Sequence, residues 1–231
     1  MDRDMADRIA GILDRMQQAM LSCGRVDTVE LMAVSKTHPL EAVLAAVDCG
    51  QLLFGENRVQ EIQTKFPETR SAYQVHLIGH LQSNKVRKAV GLVDAIDSVD
   101  SLKLVRLINT EALKLEKRIP ILLEWNTSGE TAKSGFTDER EFFAVLDEAP
   151  QLQGVEIRGL MTIGPLTDNE TMVRTAFAKL RDLARTCSER YPALSFDTLS
   201  MGMSQDFLWA IKEGSTMVRI GTAIFGGRDY R

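Results

Sequence analysis

Residues 30–39 read ELMAVSKTHP: an apolar run that breaks off into a serine, a lysine, a threonine and a histidine before a proline. An unbroken apolar run this short predicts a strand buried on both faces, the kind that parallel sheets use. The same pattern recurs along the chain. Runs at 31–35, 52–55, 75–78, 93–98, 119–126, 157–163, 196–200 and 217–220 read as strands, eight in all. Between them, stretches at 40–47, 101–115, 139–146 and 172–190 repeat apolar residues every three or four positions and read as helices. Alternation of this kind predicts a parallel sheet with crossover helices. Eight βα units close into a barrel in about 200 to 250 residues, and the chain has 231. The expected fold is therefore one (β/α)8 barrel spanning 1–231 as a single domain. Ahead of it, Ile9, Ile12, Leu13, Met16 and Met20 mark an extra amino-terminal amphipathic helix. An open doubly wound sheet would place glycines after its first strand, where this chain has Ser35-Lys36-Thr37-His38.

Composition narrows the function. With 44% hydrophobic and 26% charged residues the chain has enough apolar content for a packed core, and its net charge of -4 speaks against a nucleic-acid partner. No apolar run reaches membrane-spanning length, and the acidic amino terminus reads as neither signal nor transit peptide. Cys23, Cys49 and Cys187 lack paired spacing, which predicts a reducing cytoplasm. Three histidines, His38, His76 and His80, without companion cysteines or paired carboxylates give no metal motif and read as structural or solvent-facing.

Barrel chemistry belongs at the carboxyl ends of the strands, and polar residues gather there. Lys36 ends the first strand. Its amine either snorkels to solvent or, desolvated, forms a Schiff base with a carbonyl. The seventh and eighth strands lead into SMGMS and RIGTA, offering Ser200, Ser204, Gly221 and Thr222 at strand-to-helix turns suited to a phosphate. Barrel closure would bring Lys36 beside them, a layout for an aldehyde that carries a phosphate. Glu56 reads either as the partner of a rim group or as a favourable charge at a helix start. Asp100 reads as the cap of the helix beginning SLKLV, and Asp97 with Asp100 as a poor candidate for a catalytic pair. The basic segment 85–88 reads as a solvated helix face.

The motifs AVSKTHP, FGENRVQE, HLIGHLQSNK, NTSGE, RGLMTIG, LSMGMSQD and VRIGTAIFGGR, spread over nearly the whole chain, resemble the pyridoxal phosphate homeostasis protein family, whose fold is the alanine racemase amino-terminal barrel. The resemblance implies a cofactor, pyridoxal 5'-phosphate (PLP), carried as an internal aldimine on Lys36 with Asn57 beside it. Ser200, Ser204, Gly221 and Thr222 would hold the phosphate, and Arg219 would face the pyridine nitrogen. Met201 joins the cofactor-contacting set, and Met201 and Met203 pack around the phosphate turns without ligating a metal. Where an electron sink is needed an acidic residue usually protonates that nitrogen, whereas arginine only donates and leaves it unprotonated. A racemase of this type also needs a second acid/base opposite the lysine, commonly a tyrosine from a further domain, and Tyr73, Tyr191 and Tyr230 all fall outside the site motifs.

The expected function is thus reversible PLP binding and intracellular PLP homeostasis without robust catalysis, with PLP-dependent apoenzymes or PLP-metabolising enzymes as partners and the protein a monomer. The alternatives are a racemase-like enzyme using Lys36 as base and a cofactor-free Schiff-base aldolase. The chain departs from the family at Val75, Trp125 and Phe207-Leu208-Trp209, outside the cofactor motifs. The loop with Glu130, Lys133 and Ser134 is expected to act as a lid or as a second cofactor contact.

Overall fold

The computed structural model describes residues 2–67, 70–130 and 133–227. An amino-terminal helix α1 (Arg3–Ser22) precedes β1 (Glu30–Val34), α2 (Leu40–Asp48), β2 (Leu53–Glu56), α3 (Val59–Lys65), β3 (Gln74–Leu77), α4 (Val86–Leu92), β4 (Ala95–Val99) and α5 (Leu102–Lys114). The second half carries β5 (Ile119–Glu124), α6 (Glu139–Glu148), β6 (Val155–Met161), α7 (Glu170–Arg190), β7 (Thr198–Met203), α8 (Phe207–Lys212), β8 (Met217–Ile220) and α9 (Thr222–Phe225). All strand pairs are parallel and run in chain order, and β8 pairs with β1 through Leu31 opposite Val218 and Met32 opposite Arg219, closing the barrel.

Strand alternation divides the core in two. Leu31, Ala33, Phe54 and Val75 turn outward into the large apolar layer beneath the helices. Met32, Leu53 and Met217, with Ile78 against them, form a small separate cluster. Both faces of each strand are thereby buried, which is why the strands read as continuous apolar runs. Asp2 caps α1 by accepting from the Met5 N–H, and Met5, Ile9, Ile12, Met16 and Ala19 make its buried stripe. Leu13, which the periodicity places on that stripe, is 47% exposed. The helix lies across the barrel's closing seam: Arg8 Nε donates to the Ile224 carbonyl at 2.6 Å, and the Arg15 guanidinium sits 4.8 Å from the Phe207 ring centre.

The eight strands match the sequence expectation, with shifted ends. β7 runs on to Met203 because Gly202, at φ 97°, accommodates a register shift between Ser200 and Met203. β5 stops at Glu124, where the chain leaves the ladder and makes a single bridge from Trp125 to Phe136. Helices α3, α4, α8 and α9 have seven residues or fewer, too short for a periodic signal to set their bounds, although the sequence reads a helix start after Glu56, a helix face at 85–88 and strand-to-helix turns after the seventh and eighth strands. On α4, Val86, Ala89 and Val90 are buried while Arg87 and Lys88 face solvent, as expected of a solvated helix face. Asp100 does not cap α5. The cap is Ser101, whose hydroxyl accepts from the Leu104 N–H at 3.3 Å, while Asp100 Oδ2 lies 3.2 Å from His80 Nδ1. One residue of offset decides this, because only the extended residue directly before the first helical one can reach back to the free N–H groups.

Candidate functional site at the carboxyl rim of the barrel

The residues singled out at the strand ends fall on four consecutive strands around the closing seam: Ser200 to Ser204 on β7 and its turn, Arg219 to Thr222 on β8, Lys36 after β1, and Asn57 after β2. Pairing of Ala33 with Ile220 sets the ends of β1 and β8 level. A Cβ on Gly221 would come within 3.1 Å of the Val34 carbonyl oxygen, so glycine allows this close approach. Beyond it, the His38 ring stacks on Phe225 with 5.1 Å between centres, joining the Lys36 loop to α9. On the other side, Asn57 is packed against Gly79, where a Cβ would sit 2.3 Å from the Asn57 carbonyl oxygen.

Arg219 is the most constrained charge of the site. It is 4% exposed, and one guanidinium nitrogen donates to both the carbonyl and the hydroxyl of Ser200 at 2.7 Å each. The other terminal nitrogen donates to the Thr162 carbonyl at 2.8 Å. Burial lowers its pKa, and the carboxylates of Asp97, Glu124 and Asp206 work against that pull. Thr162 is itself fixed, its hydroxyl donating to the Trp125 carbonyl at 2.8 Å and lying 2.9 Å from the Thr127 hydroxyl. The sequence places Thr162 at a strand end but gives it no role, since its partner is 57 residues away.

The remaining candidates divide by burial. Ser200 is fully buried, and its oxygen accepts from Arg219 while its own proton stays available to another acceptor. Met201 is fully buried in the outer apolar layer, and its carbonyl accepts from the Ser215 hydroxyl at 2.7 Å. Ser204 is half-buried in a turn that Asp206 closes by accepting from the Met203 N–H at 2.6 Å. Burial raises the Asp206 pKa, against the Met203 hydrogen bond. Thr222, exposed, opens α9, while Lys36 and Asn57 are half-buried.

Two buried glutamates stand behind the rim. Glu56 Oε1 accepts from the Ser35 hydroxyl at 2.7 Å and from Lys65 Nζ at 2.6 Å, so of its two sequence readings the structure selects the rim partner. Glu124 Oε1 accepts from the Ser134 hydroxyl at 2.7 Å. Burial pushes both carboxyls up, offset at Glu56 by Lys65 and Ser35 and at Glu124 chiefly by Ser134. In the loop after β5, Lys133 Nζ donates to Glu130 Oε1 at 2.7 Å and to the Gly164 carbonyl at 2.9 Å, tying that loop to the end of β6. His76 and Asp97 pair lower in the barrel, 3.2 Å apart. Among the described residues no group of three or more His, Cys, Asp or Glu side chains could hold a metal ion. No helix of the described residues is long and apolar enough to cross a membrane.

Residues 9–229 match the family described as alanine racemase, N-terminal domain. The pyridoxal phosphate homeostasis protein of Vibrio alginolyticus is 43% identical over 217 residues, covering 90% of this chain and 91% of that one. Its counterpart in Escherichia coli (strain K12) is 39% identical, with 98% of each chain covered. Among solved structures, PipY of Synechococcus elongatus PCC7942 with PLP bound superposes with a TM-score of 0.84 at 38% identity, over 96% of this chain and 100% of that one. Alanine racemase of Clostridium difficile 630 shares the fold at 13% identity, with a TM-score of 0.75 over 94% of this chain and 59% of its own. The chain belongs to the pyridoxal phosphate homeostasis protein family, built on the alanine racemase N-terminal barrel.

Proposed function

We propose that this protein binds PLP reversibly at the carboxyl rim, through a Schiff base on Lys36, and takes part in intracellular PLP homeostasis. The observation that carries the reading is Arg219, a buried cation held by Ser200 and Thr162 on the strand paired with the one that delivers Lys36. The donor set fits the group: an amine for an aldehyde, a fixed guanidinium for a ring nitrogen, and small hydroxyl or glycine positions for a phosphate. In this reading Ser200, Ser204, Gly221 and Thr222 hold the phosphate, with Met201 contributing main chain, and Asn57 flanks the ring. In capture, the neutral Lys36 amine forms a bond to the aldehyde carbon, and the carbonyl oxygen leaves as water with the two amine protons.

PLP supplies a reactive aldehyde and, in enzymes that protonate its ring nitrogen, an electron sink. Arg219 has all its observed bonds to acceptors and offers a ring nitrogen a donor, not a transferable proton. Neither described tyrosine can serve as an opposing acid: Tyr73 packs edge-on against Phe54, and the Tyr191 hydroxyl donates to Asp147 at 2.6 Å on the outer helices. Storage and release to PLP-dependent apoenzymes or PLP-metabolising enzymes therefore suits the site better than turnover. The free thiols of Cys23, Cys49 and Cys187 support a cytoplasmic setting, and we assign the protein as a monomer with 1–231 as one PLP-binding unit. The loop pinned by Lys133 is assigned as a lid.

Titration of the purified protein with PLP tests this. Saturable visible absorbance that disappears in Lys36→Ala is expected. Robust deuterium exchange at the α-carbon of amino acids, lost in Lys36→Ala, would instead establish the racemase-like reading.

A further inference from the structure

Both peptide planes of Lys36 are gripped by charged side chains from one short stretch of chain. On the preceding plane, the Ser35 carbonyl accepts from Lys65 Nζ at 2.8 Å, while the Ser35 hydroxyl donates to Glu56. On the following plane, the Thr37 N–H donates to Glu61 Oε1 at 2.5 Å. Lys65 joins the two arms, its Nζ lying 2.6 Å from Glu56 Oε1 and 2.9 Å from Glu61 Oε1, with only 6% of its side chain exposed.

The backbone between these arms is not relaxed. Thr37 has φ 68°, the left-handed region that a β-branched residue avoids. Such a conformation persists only where its surroundings hold it, and it collects at functional sites. The barrel itself does not require the grip, because β1 is already secured by its ladders to β2 and β8. A hydrogen bond with one ionised partner is about twice as strong as a neutral one, and here one falls on each side of Lys36.

We propose that Glu56, Glu61 and Lys65 are positioning residues that fix both peptide planes of Lys36 and so aim its amine across the rim. The inference rests on Lys36 being the residue that takes PLP. The benefit is preorganisation: an amine already aimed loses less freedom when it meets its aldehyde. Burial also holds the Glu56 carboxyl up, and its Oε2 has no hydrogen-bond partner among the described residues, so Lys65 is what keeps that carboxyl serviceable as an anion.

The test uses full-length Glu61→Ala, Glu61→Gln and Lys65→Met, with PLP as the probe. The readouts are the rate of visible-absorbance gain, its pH midpoint and the melting temperature. Glu61→Ala should slow capture about tenfold, equivalent to roughly 1.4 kcal/mol, while melting within about 4 °C of the parent. Glu61→Gln, which still accepts from Thr37, should recover most of the rate. Adding Thr37→Gly to Glu61→Ala should recover part of it, since glycine adopts this φ without strain. Capture rates and pH midpoints equal to the parent in both Glu61→Ala and Lys65→Met would overturn the clamp. So would a loss that only follows melting temperature. If Lys65→Met fails to fold, Glu61→Ala decides alone. A parent protein that never attaches PLP to Lys36 would remove the underlying reading and the clamp with it, whereas a parent that attaches PLP beside unaffected variants removes the clamp only.

Discussion

At the amino-terminal mouth of the barrel, His76 and Asp97 face a cavity of about 350 Å³ walled by Glu30, Gln74, Glu156 and Arg158, among others. At the carboxyl rim, Arg219, Ser200, Thr162 and the Glu56–Lys65 pair surround the end of β1. Both mouths are polar, yet their charges are spent differently. At the amino end they chiefly answer one another: Glu156 with Arg158 at 2.8 Å, His76 with Asp97 at 3.2 Å, and Asp94 with Arg70 at 2.7 Å, a pair that also bonds the Val75 N–H and the Leu92 carbonyl. At the carboxyl end the pairs Lys65 makes with Glu56 and Glu61 also reach the backbone beside Lys36, at the Ser35 carbonyl and the Thr37 N–H, and Arg219 holds the Thr162 carbonyl, so the charges set the shape of the rim. The first arrangement supports stability and the second holds a site in place, which is the division of labour expected between the two faces of a βα barrel.

Removing the buried cation of the carboxyl rim should have the largest effect. Arg219→Met would leave the carboxylates of Asp97, Glu124 and Asp206 without their shared cation and remove its hydrogen bonds to Ser200 and Thr162. A loss of about 3 kcal/mol in denaturant unfolding is expected, together with weakened PLP binding. A variant that keeps parental stability would show that the buried cation is not central to the barrel. Ser215→Ala sharpens the contrast, because the Ser215 hydroxyl lies within 2.7 to 3.2 Å of the carbonyls of Leu199, Met201 and Met217, away from the rim. It should cost about 1 kcal/mol and leave PLP affinity as it was. Altered affinity would mean that the support of β7 and β8 reaches the site.

The smallest effect belongs to His76 and is one of pH. Burial works to lower its pKa, but Asp97, with Asp94 and Glu30, lifts it net above the ordinary 6.5. A histidine raised on folding stabilises the protein fully below its unfolded pKa, and that contribution fades as pH rises through the folded value. His76→Gln should therefore flatten the decline of stability above about pH 6.5 and leave PLP capture unchanged. A parallel change in capture would tie the two mouths together.

The barrel was legible because each strand buried on both faces writes itself as an apolar run, and the 217–220 run matches β8 residue for residue. The bounds of the short helices α3 and α8 were not, since a turn or two of helix carries too little pattern to separate from loop. In the site, Lys36 announced itself as a charge at the end of an apolar run, and Arg219 came in through the family resemblance. Their supports did not. Thr162 reaches Arg219, and Glu61 reaches Thr37, only through strand pairing and the orientation of α3, which no local spacing encodes. Ser101 displaced Asp100 as a cap because the geometry at a helix start selects one residue among adjacent candidates.

The most direct test of the account is chemical. The protein is loaded with PLP, reduced with borohydride and digested, and the modified lysine is located by peptide mass. A single phosphopyridoxyl group on Lys36 is the predicted result; modification of other lysines with Lys36 untouched would contradict it.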